Sequence, residues 1–540
     1  MEKSKGKASN EDIADGEVAG INNGGSIEEC EPQSKRVKLE ADKGNIADLT
    51  LNHSYTTPLF TEQLKTQWSS RDKEDYYDPA TAAKVYRDPF QVCLLPDLLQ
   101  NKITCRELVD EMVQKVQWSR KQMDLYEFYQ STDLSNMANC KLLTSFLQML
   151  RRTVRPWLQA LTGIKLDYVS ASCSMYTCGD YLLVHDDLLK DRQIAFIYYL
   201  SPWENAEQWC EEQGGCLELF SSDERCFPLF PVKQKVSPKN NQFVFFKVGS
   251  RSFHQVGEVT TFDYPRLTIN GWFHGASNNE LIADVMRPFG KLEFTMPEKN
   301  THAVSVDEFL NEVYLKAQTK KSIQKRIEDN SEICLYEFLR REIFEQALEQ
   351  LLHDDTLKWR LEGPANAHNY EVLDISTASE TISRLIALFS NAEMFALLRD
   401  YTDLDLAGPN AANPTYNLQV QRWTHGNYTV LGDGAICEEN TLDLLYYLNA
   451  SEGAAVVTYL SPEADEAHQK NHNDESDDDS IGYEMEQEED DSVLLTITPV
   501  DNALNIVYRC EGTTKFTKYV SRNTPLERGP VYVISCSYKE

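Results

Sequence analysis

At Gly163 the chain changes its period. Before it, apolar residues recur at helical spacing in FTEQLKTQWSSR, TCRELVDEMVQKVQWSRKQM and LLTSFLQMLRRTVRPWLQALTG. After it, KLDYVSASCSMY, YLLVHDD, RQIAFIYYL, GGCLELF, QFVFFKVG, SFHQVGE and RLTINGWFHG read as short strands separated by Gly, Pro and Asn turns. Short strands behind a helical preface argue for a closed antiparallel barrel or jelly roll with helices packed outside.

The same order then recurs. A capping box, Ser305 followed by Glu308, opens SVDEFLNEVYLKAQ, and two further helical stretches follow between 320 and 355. ETISRLIALFSNAEMFALLRDYTD is helical, and YNLQVQRWTHGNYTVL, GAAVVTYL, VLLTITPVDNALNIVYRC and PVYVISCSYK are strand-like. At 540 residues the chain is long enough for two folded units. The expected organisation is a tail (1–50), a first, catalytic unit (51–300), a helical bridge (301–355) and a second unit without catalysis (356–540). No tight sequence repeat accompanies this duplicated order.

YLLVHDDLL carries the chemistry. Residues two apart on a strand share a face, so His185 and Asp187 can meet one metal while Asp186 points away, unless the strand has ended. An imidazole and a carboxylate are two of the three ligands of the facial triad used by non-haem Fe(II) oxygenases. His254, 67 residues beyond Asp187 on another strand, supplies the third. Twelve residues later Arg266 opens RLTINGWFHG and shares a face with Thr268. An arginine fork beside a hydroxyl suits the distal carboxylate of a dicarboxylic co-substrate such as 2-oxoglutarate. With O2, such a site couples decarboxylation to succinate with hydroxylation of a C–H bond, which redox-silent zinc cannot support.

The neighbouring polar groups are read more plainly. Tyr176 and Tyr199 flank the HxD strand and either pack or lend hydroxyls to the co-substrate. His274 is a structural strand-end histidine, and Trp272 and Phe273 are core or pocket wall. In the second unit His425 has no HxD partner, and His468 and His472 fall in an acidic stretch, so no catalytic iron is expected there.

Charge and cysteine use narrow the partners. The formal net charge is -32, and residues 461–492 hold 14 acidic residues against one lysine. Such a chain repels nucleic-acid backbones and anionic membranes and attracts a basic partner. No apolar run reaches the roughly 18 residues of a membrane span. The 13 cysteines form no paired metal-ligand pattern, with Cys173 and Cys178 lacking a matching second pair, so reduced intracellular thiols are expected. The tail's PQSKRVKLE, with Lys35, Arg36 and Lys38, reads as a nuclear import signal.

LLVHDD, IAFIYYL, GGCLELF, FVFFKV, SFHQVGEV, RLTINGWFHG, the SxSxxxY before them and the later WTHGNYTVLGD resemble the ribosomal prolyl 3-hydroxylases of eukaryotes, from about residue 85 to the C-terminus. The resemblance implies tandem double-stranded β-helix domains, mainly β with flanking helices, of which only the first is catalytic. It implies Fe(II) on His185, Asp187 and His254, and 2-oxoglutarate on Arg266 with Tyr176 and Tyr199 close by. O2 is then a co-substrate and L-ascorbate keeps the iron reduced. The implied substrate is a proline of the small-subunit ribosomal protein uS12, hydroxylated at C3 with consequences for translation, by a monomer of nucleus and cytoplasm. PWENAEQWCEEQGG is longer and more acidic than the family pattern leads one to expect, which puts substrate entry rather than chemistry in question. Lysyl hydroxylation and demethylation of a small molecule or nucleic acid use the same residues and stay open, as does a non-catalytic 2-oxoglutarate-sensing adaptor, which has no reason to keep the ligands and the arginine together.

Overall fold

The strands after Gly163 fold back over one another. The computed structural model describes residues 49–202, 209–277, 294–295, 304–406, 415–431, 439–461 and 493–539. Its first sheet is antiparallel throughout. The order is Tyr76–Tyr77, Lys84–Tyr86, Val92–Leu95, Gln242–Lys247, Arg192–Tyr199, Arg266–His274, Tyr168–Tyr176, Tyr126–Asp133, Tyr181–His185, His254–Val256, Leu217–Ser222 and Pro228–Val236. Tyr126–Asp133 bonds to Tyr168–Tyr176 along one part and to Tyr181–His185 along another, and so carries the sheet from one layer to the next. The two end strands do not pair with each other. The expected closed barrel is therefore replaced by an open double-stranded β-helix, the jelly-roll alternative.

One face of this sheet is covered by helices. Pro58–Ser69, Lys102–Lys115, Lys141–Met149 and Arg155–Thr162 bury Leu64, Leu108, Phe146 and Leu158 against Phe196, Phe243 and Ile269. The last helix stops at Gly163, whose φ of 73° only glycine adopts without strain. The reading of TCRELVDEMVQKVQWSRKQM as one helix was too long. The helix ends at Lys115, Val116 turns extended, and Ser119–Gln122 becomes a strand beside Tyr126–Asp133. The buried stripe of Leu108, Val109 and Met112 runs out there, and backbone pairing takes over from packing.

The second half builds the same architecture. Glu332–Leu335, Leu504–Arg509, Thr441–Leu448, Val531–Lys539, Tyr416–Trp423, His368–Leu373 and Trp359–Glu362 form one sheet, and Val493–Ile497, Val457–Leu460 and Thr514–Thr517 another. The stretch expected to bridge the units instead packs into this second core through Phe309, Tyr314, Ile327, Ala347 and Leu351. Its capping box does not form. The backbone N–H of Val306 donates to Glu393 Oε2 at 2.9 Å, and Glu308 pairs with Arg384 at 3.0 Å, so tertiary partners displace the local one. No single described helix is long and apolar enough to cross a membrane. The import-like patch, the acidic stretch beyond Ser461 and most of PWENAEQW lie outside the described residues.

A buried asparagine marks the duplication residue by residue. Asn241 Oδ1 accepts from Leu99 N and from the Tyr198 hydroxyl, each at 2.9 Å, while its Nδ2 donates to Leu99 O at 3.0 Å. Asn502 does the same in the second half, accepting from Leu339 N at 3.0 Å and Tyr446 at 2.8 Å and donating to Leu339 O at 3.0 Å. Both have left-handed backbones, with φ of 62° and 54°. Even the tyrosines beneath match: the Tyr55 hydroxyl donates to Pro96 O, and that of Tyr314 to Tyr336 O. Each asparagine locks the start of a strand to the loop leading into a helix.

Substituting Asn241 or Asn502 by alanine takes away the partner of a buried amide N–H and carbonyl and one partner of a buried tyrosine hydroxyl (Tyr198 keeps its contact with Cys105 Sγ), and keeps a Cβ in the left-handed region. Each change should destabilise the fold by about 2–4 kcal/mol. Denaturant unfolding of the two variants checks this, and a loss under about 1 kcal/mol at either site contradicts it.

Candidate active site

The cross-strand partner of His185 is His254: the two are register neighbours on antiparallel strands far apart in the chain, and His254 also faces Leu219 on its other side. Their rings lie 4.2 Å apart between centroids. Asp187 joins them by a route that differs from the strand alternation expected. The strand Tyr181–His185 ends at His185, and Asp187 has a φ of 63°. Aspartate is among the few side chains that tolerate this region. The turn is held by Asp186 Oδ1, which accepts from Leu188 N at 3.0 Å, and by Ser252 Oγ, which donates to Asp186 O at 2.8 Å. Asp187 Oδ1 then sits 3.6 Å from His185 Nε2, and its Oδ2 3.5 Å from His254 Nε2.

This donor set fits a divalent iron. All the potential ligand atoms lie within 4.8 Å of one another, the only such His/Cys/Asp/Glu group among the described residues. Both Nδ1 atoms stand 2.8 Å from backbone carbonyls, those of Leu183 and Ser252. A carbonyl only accepts, so each Nδ1 carries the proton and each Nε2 offers its lone pair to the metal. Burial, and then the neighbouring His185, lower the pKa of His254 to about 4, which keeps it neutral. Burial works against charge on Asp187, but the two imidazoles, Arg192 and Trp272 outweigh it and hold the carboxyl below its usual range.

Register also assembles the co-substrate end. Arg266 lies opposite Tyr176, and Thr268 is flanked by Ser174 on one side and Tyr199 on the other. All five side chains therefore share one face of the sheet, and Tyr176 among them lies near enough to feel the charge of Asp187. The Arg266 guanidinium lies 4.9 Å and 5.1 Å from the rings of Tyr176 and Tyr199. Arg266 is 1% exposed, yet its Nε and Nη2 have no hydrogen-bond partner among the described residues, and neither do Tyr199 Oη and Ser174 Oγ. Tyr199 is close enough to feel the guanidinium, but no bond of normal geometry joins them. Burial raises the pKa of both tyrosines, so their hydroxyls stay protonated and able to donate. Buried donors without acceptors are costly. A dicarboxylate is the kind of ligand that relieves them.

The remaining expectations sort cleanly. Thr268 is in place, although its hydroxyl is 3.2 Å from Asn270 Oδ1. His274 is structural, held by Asp191 at 2.8 Å and Ser170 at 2.7 Å and stacked on Tyr168. His425 sits on the surface against Thr524 O. The described cysteines, Cys173 and Cys178 among them, are free thiols. In the second module the matching interior holds an ion pair instead of a metal set: Asp443 meets Lys515 at 2.6 Å and Ser537 at 2.6 Å. Two residues escaped the sequence reading. Ser174 lies inside SxSxxxY, two residues from Tyr176, and strand alternation could have found it. Arg192, 3.6 Å from Asp187 and 3.6 Å from the Trp272 ring, gave no such signal.

The depressed pKa of His254 makes metal-free stability depend on pH. Between its ordinary value of 6.5 and about 4, the unfolded chain binds a proton that the folded one refuses, so stability falls as pH drops through this window. From pH 7 to pH 5 the metal-free protein should lose about 2 kcal/mol more than a His254→Leu variant. Urea midpoints at the two pH values measure it, and parallel losses in both proteins contradict it.

Comparison with known proteins agrees with this geometry. Residues 171–274 match the 2OG-Fe(II) oxygenase superfamily, and residues 302–540 match a family described as the oxoglutarate and iron-dependent oxygenase degradation C-term. The chain is 65% identical over 511 residues to prolyl 3-hydroxylase sudestada1 of Drosophila melanogaster, covering 94% of each. It is 27% identical to prolyl 3-hydroxylase OGFOD1 of Mus musculus, covering 87% of this chain and 90% of that one. It is 25% identical to prolyl 3,4-dihydroxylase OGFOD1 of Ostreococcus tauri, covering 80% and 92%. With a His–Asp–His group inside the matched oxygenase segment and such identity along nearly its whole length, the chain belongs to the prolyl 3-hydroxylase family of Fe(II)- and 2-oxoglutarate-dependent dioxygenases.

Proposed function

We propose that this protein hydroxylates a proline of ribosomal protein uS12 at C3, with His185, Asp187 and His254 holding Fe(II) and Arg266 holding 2-oxoglutarate. The observation that carries the reading is the complete His–Asp–His group set across from a buried arginine with unpartnered donors. Iron(II), 2-oxoglutarate and O2 together supply the oxidation that replaces C–H by C–OH, with succinate and CO2 as by-products, and ascorbate keeps the metal reduced.

The chain's own residues do the positioning. Arg266 offers its fork to the distal carboxylate, and the Tyr199, Tyr176, Thr268 and Ser174 hydroxyls line the same face. Ser252 O and Leu183 O fix the two imidazoles in one tautomer. Leu188, Leu217, Leu219 and Phe246 form a buried apolar wall beside them, which excludes water and strengthens every polar contact inside. Residues 51–300 carry the catalysis in this reading, and residues 356–540 hold substrate. The acidic balance of -32 speeds encounter with a basic ribosomal protein and disfavours direct contact with nucleic acid or anionic membrane. Lys35, Arg36 and Lys38 direct a monomer to the nucleus, with a cytoplasmic pool at the ribosome. The adaptor alternative gives no reason to retain three ligands and the arginine together.

Purified uS12 incubated with the protein, Fe(II), 2-oxoglutarate, ascorbate and O2 should gain one oxygen on one proline by peptide mass spectrometry, and none with His254→Ala. A second oxygen would place the chain with the dihydroxylase relative. Succinate release without any change in uS12 would refute that substrate and leave the oxygenase, whereas no turnover at all favours the adaptor. Arg266→Ala should raise the KM for 2-oxoglutarate roughly 10²-fold or more, since a buried charge pair is worth about 3 kcal/mol or above. An unchanged KM removes Arg266 from its assigned role.

A further inference from the structure

Between His254 and Arg266 lies a residue that neither the iron nor the co-substrate explains. Glu258 is 7% exposed, and the hydrogen bonds its carboxylate accepts among the described residues come from the C-terminal module. Tyr519 donates its hydroxyl to Oε2 at 3.1 Å, Ser521 donates Oγ–H to Oε1, and the backbone N–H of Arg522 lies 3.0 Å from both oxygens. An unpaired buried carboxylate is expensive, so these donors and Glu258 require one another.

The backbone around Glu258 is just as constrained. Its carbonyl accepts from Gly215 N at 3.0 Å, and Val259 N donates to Asp180 O at 3.0 Å. Gly214 approaches so closely that a Cβ there would lie 1.8 Å from Glu258 O. A Cβ on Gly215 would stand 3.0 Å from Val259, 3.1 Å from Arg266 Cδ and 3.3 Å from Trp209. Val259 and Trp209 in turn pack in one cluster with Tyr176, the residue facing Arg266. A run of close neighbours thus leads from Tyr519, Ser521 and Arg522 through Glu258 to the Gly214–Gly215 turn, beside which the stem of Arg266 leaves no room for a side chain.

We propose that Glu258 is a positioning residue through which the C-terminal module sets the Arg266 end of the co-substrate pocket. The module then completes the active site mechanically, besides any contact it makes with substrate. This rests on the reading of Arg266 as the 2-oxoglutarate anchor. The bland alternative is that Glu258 merely fastens the two modules together, as Asp124 does by accepting from Leu431 N.

The two are separable in the full-length protein loaded with Mn(II), by titrating 2-oxoglutarate calorimetrically without turnover. Glu258→Ala and Ser521→Ala should weaken 2-oxoglutarate binding roughly tenfold to a hundredfold, the scale of a small misplacement in a site. Mn(II) binding should stay within about twofold, and Glu258→Gln, which keeps an acceptor, should recover part of the loss. Asp124→Ala, which removes the acceptor for Leu431 N, should lower Tm yet leave 2-oxoglutarate affinity alone. Unchanged affinity in Glu258→Ala, or an equal loss in Asp124→Ala, overturns the proposal. Wild-type protein that binds Mn(II) but no 2-oxoglutarate overturns the Arg266 reading and this inference with it. If Glu258→Ala fails to fold, Ser521→Ala and Glu258→Gln decide the matter by the same measurement.

Discussion

The antiparallel pairing of His254 with His185 is the constraint on which the catalytic half of this protein rests. It joins a three-residue strand to the strand that ends at His185 and brings two imidazoles to one point while backbone carbonyls accept hydrogen bonds from their Nδ1–H groups. Asp187 reaches the same point only because the chain turns left-handed directly after His185. Ser252 serves both sides, donating to Asp186 O and offering its own carbonyl to His254. A one-residue slip in this register would turn His254 away from Asp187. The layers on either side, and the helices that stiffen them, hold that pairing in place.

The second module separates scaffold from chemistry. Asn502, Tyr446 and Leu339 repeat Asn241, Tyr198 and Leu99 bond for bond, so the architecture was retained. Its interior was refilled. Where the first module gathers histidines, the second buries Asp443, and Lys515 with Arg509 holds that carboxyl charged in spite of its burial. Asp443 is partnered by Lys515 and Ser537 on the strands that frame this interior.

Much of the site was legible because its signals are local or periodic. HxD, a distant histidine and an RxT on a strand are recognisable from residue type and alternation, and the register then set Arg266, Thr268, Tyr176 and Tyr199 on one face. The readings that failed shared one cause. Ser305 and Glu308 satisfied a local rule, yet Glu393 and Arg384 competed from far along the chain and won. The helix expected through Met123 likewise obeyed its period on paper but gave way where a hairpin partner was available. Arg192 was invisible because its importance comes from Trp272 and Asp187, whose nearness is a property of the folded sheet.

By itself, then, the sequence determined the ligand types, their order, the strand-rich class and the repetition of helices followed by strands. Each of these follows from side-chain chemistry or from the 2.0 and 3.6 periods of the backbone. Only the tertiary structure decided that the sheet stays open, that Asp187 turns inward after the strand ends, and that Glu258 answers to Tyr519, Ser521 and Arg522. Those outcomes depend on groups far apart in the chain meeting in buried hydrogen bonds, as Ser252 meets Asp186 and the C-terminal module meets Glu258, or on two sheet edges meeting or missing in space. Residue spacing along one chain does not encode such competition, and only packing resolves it.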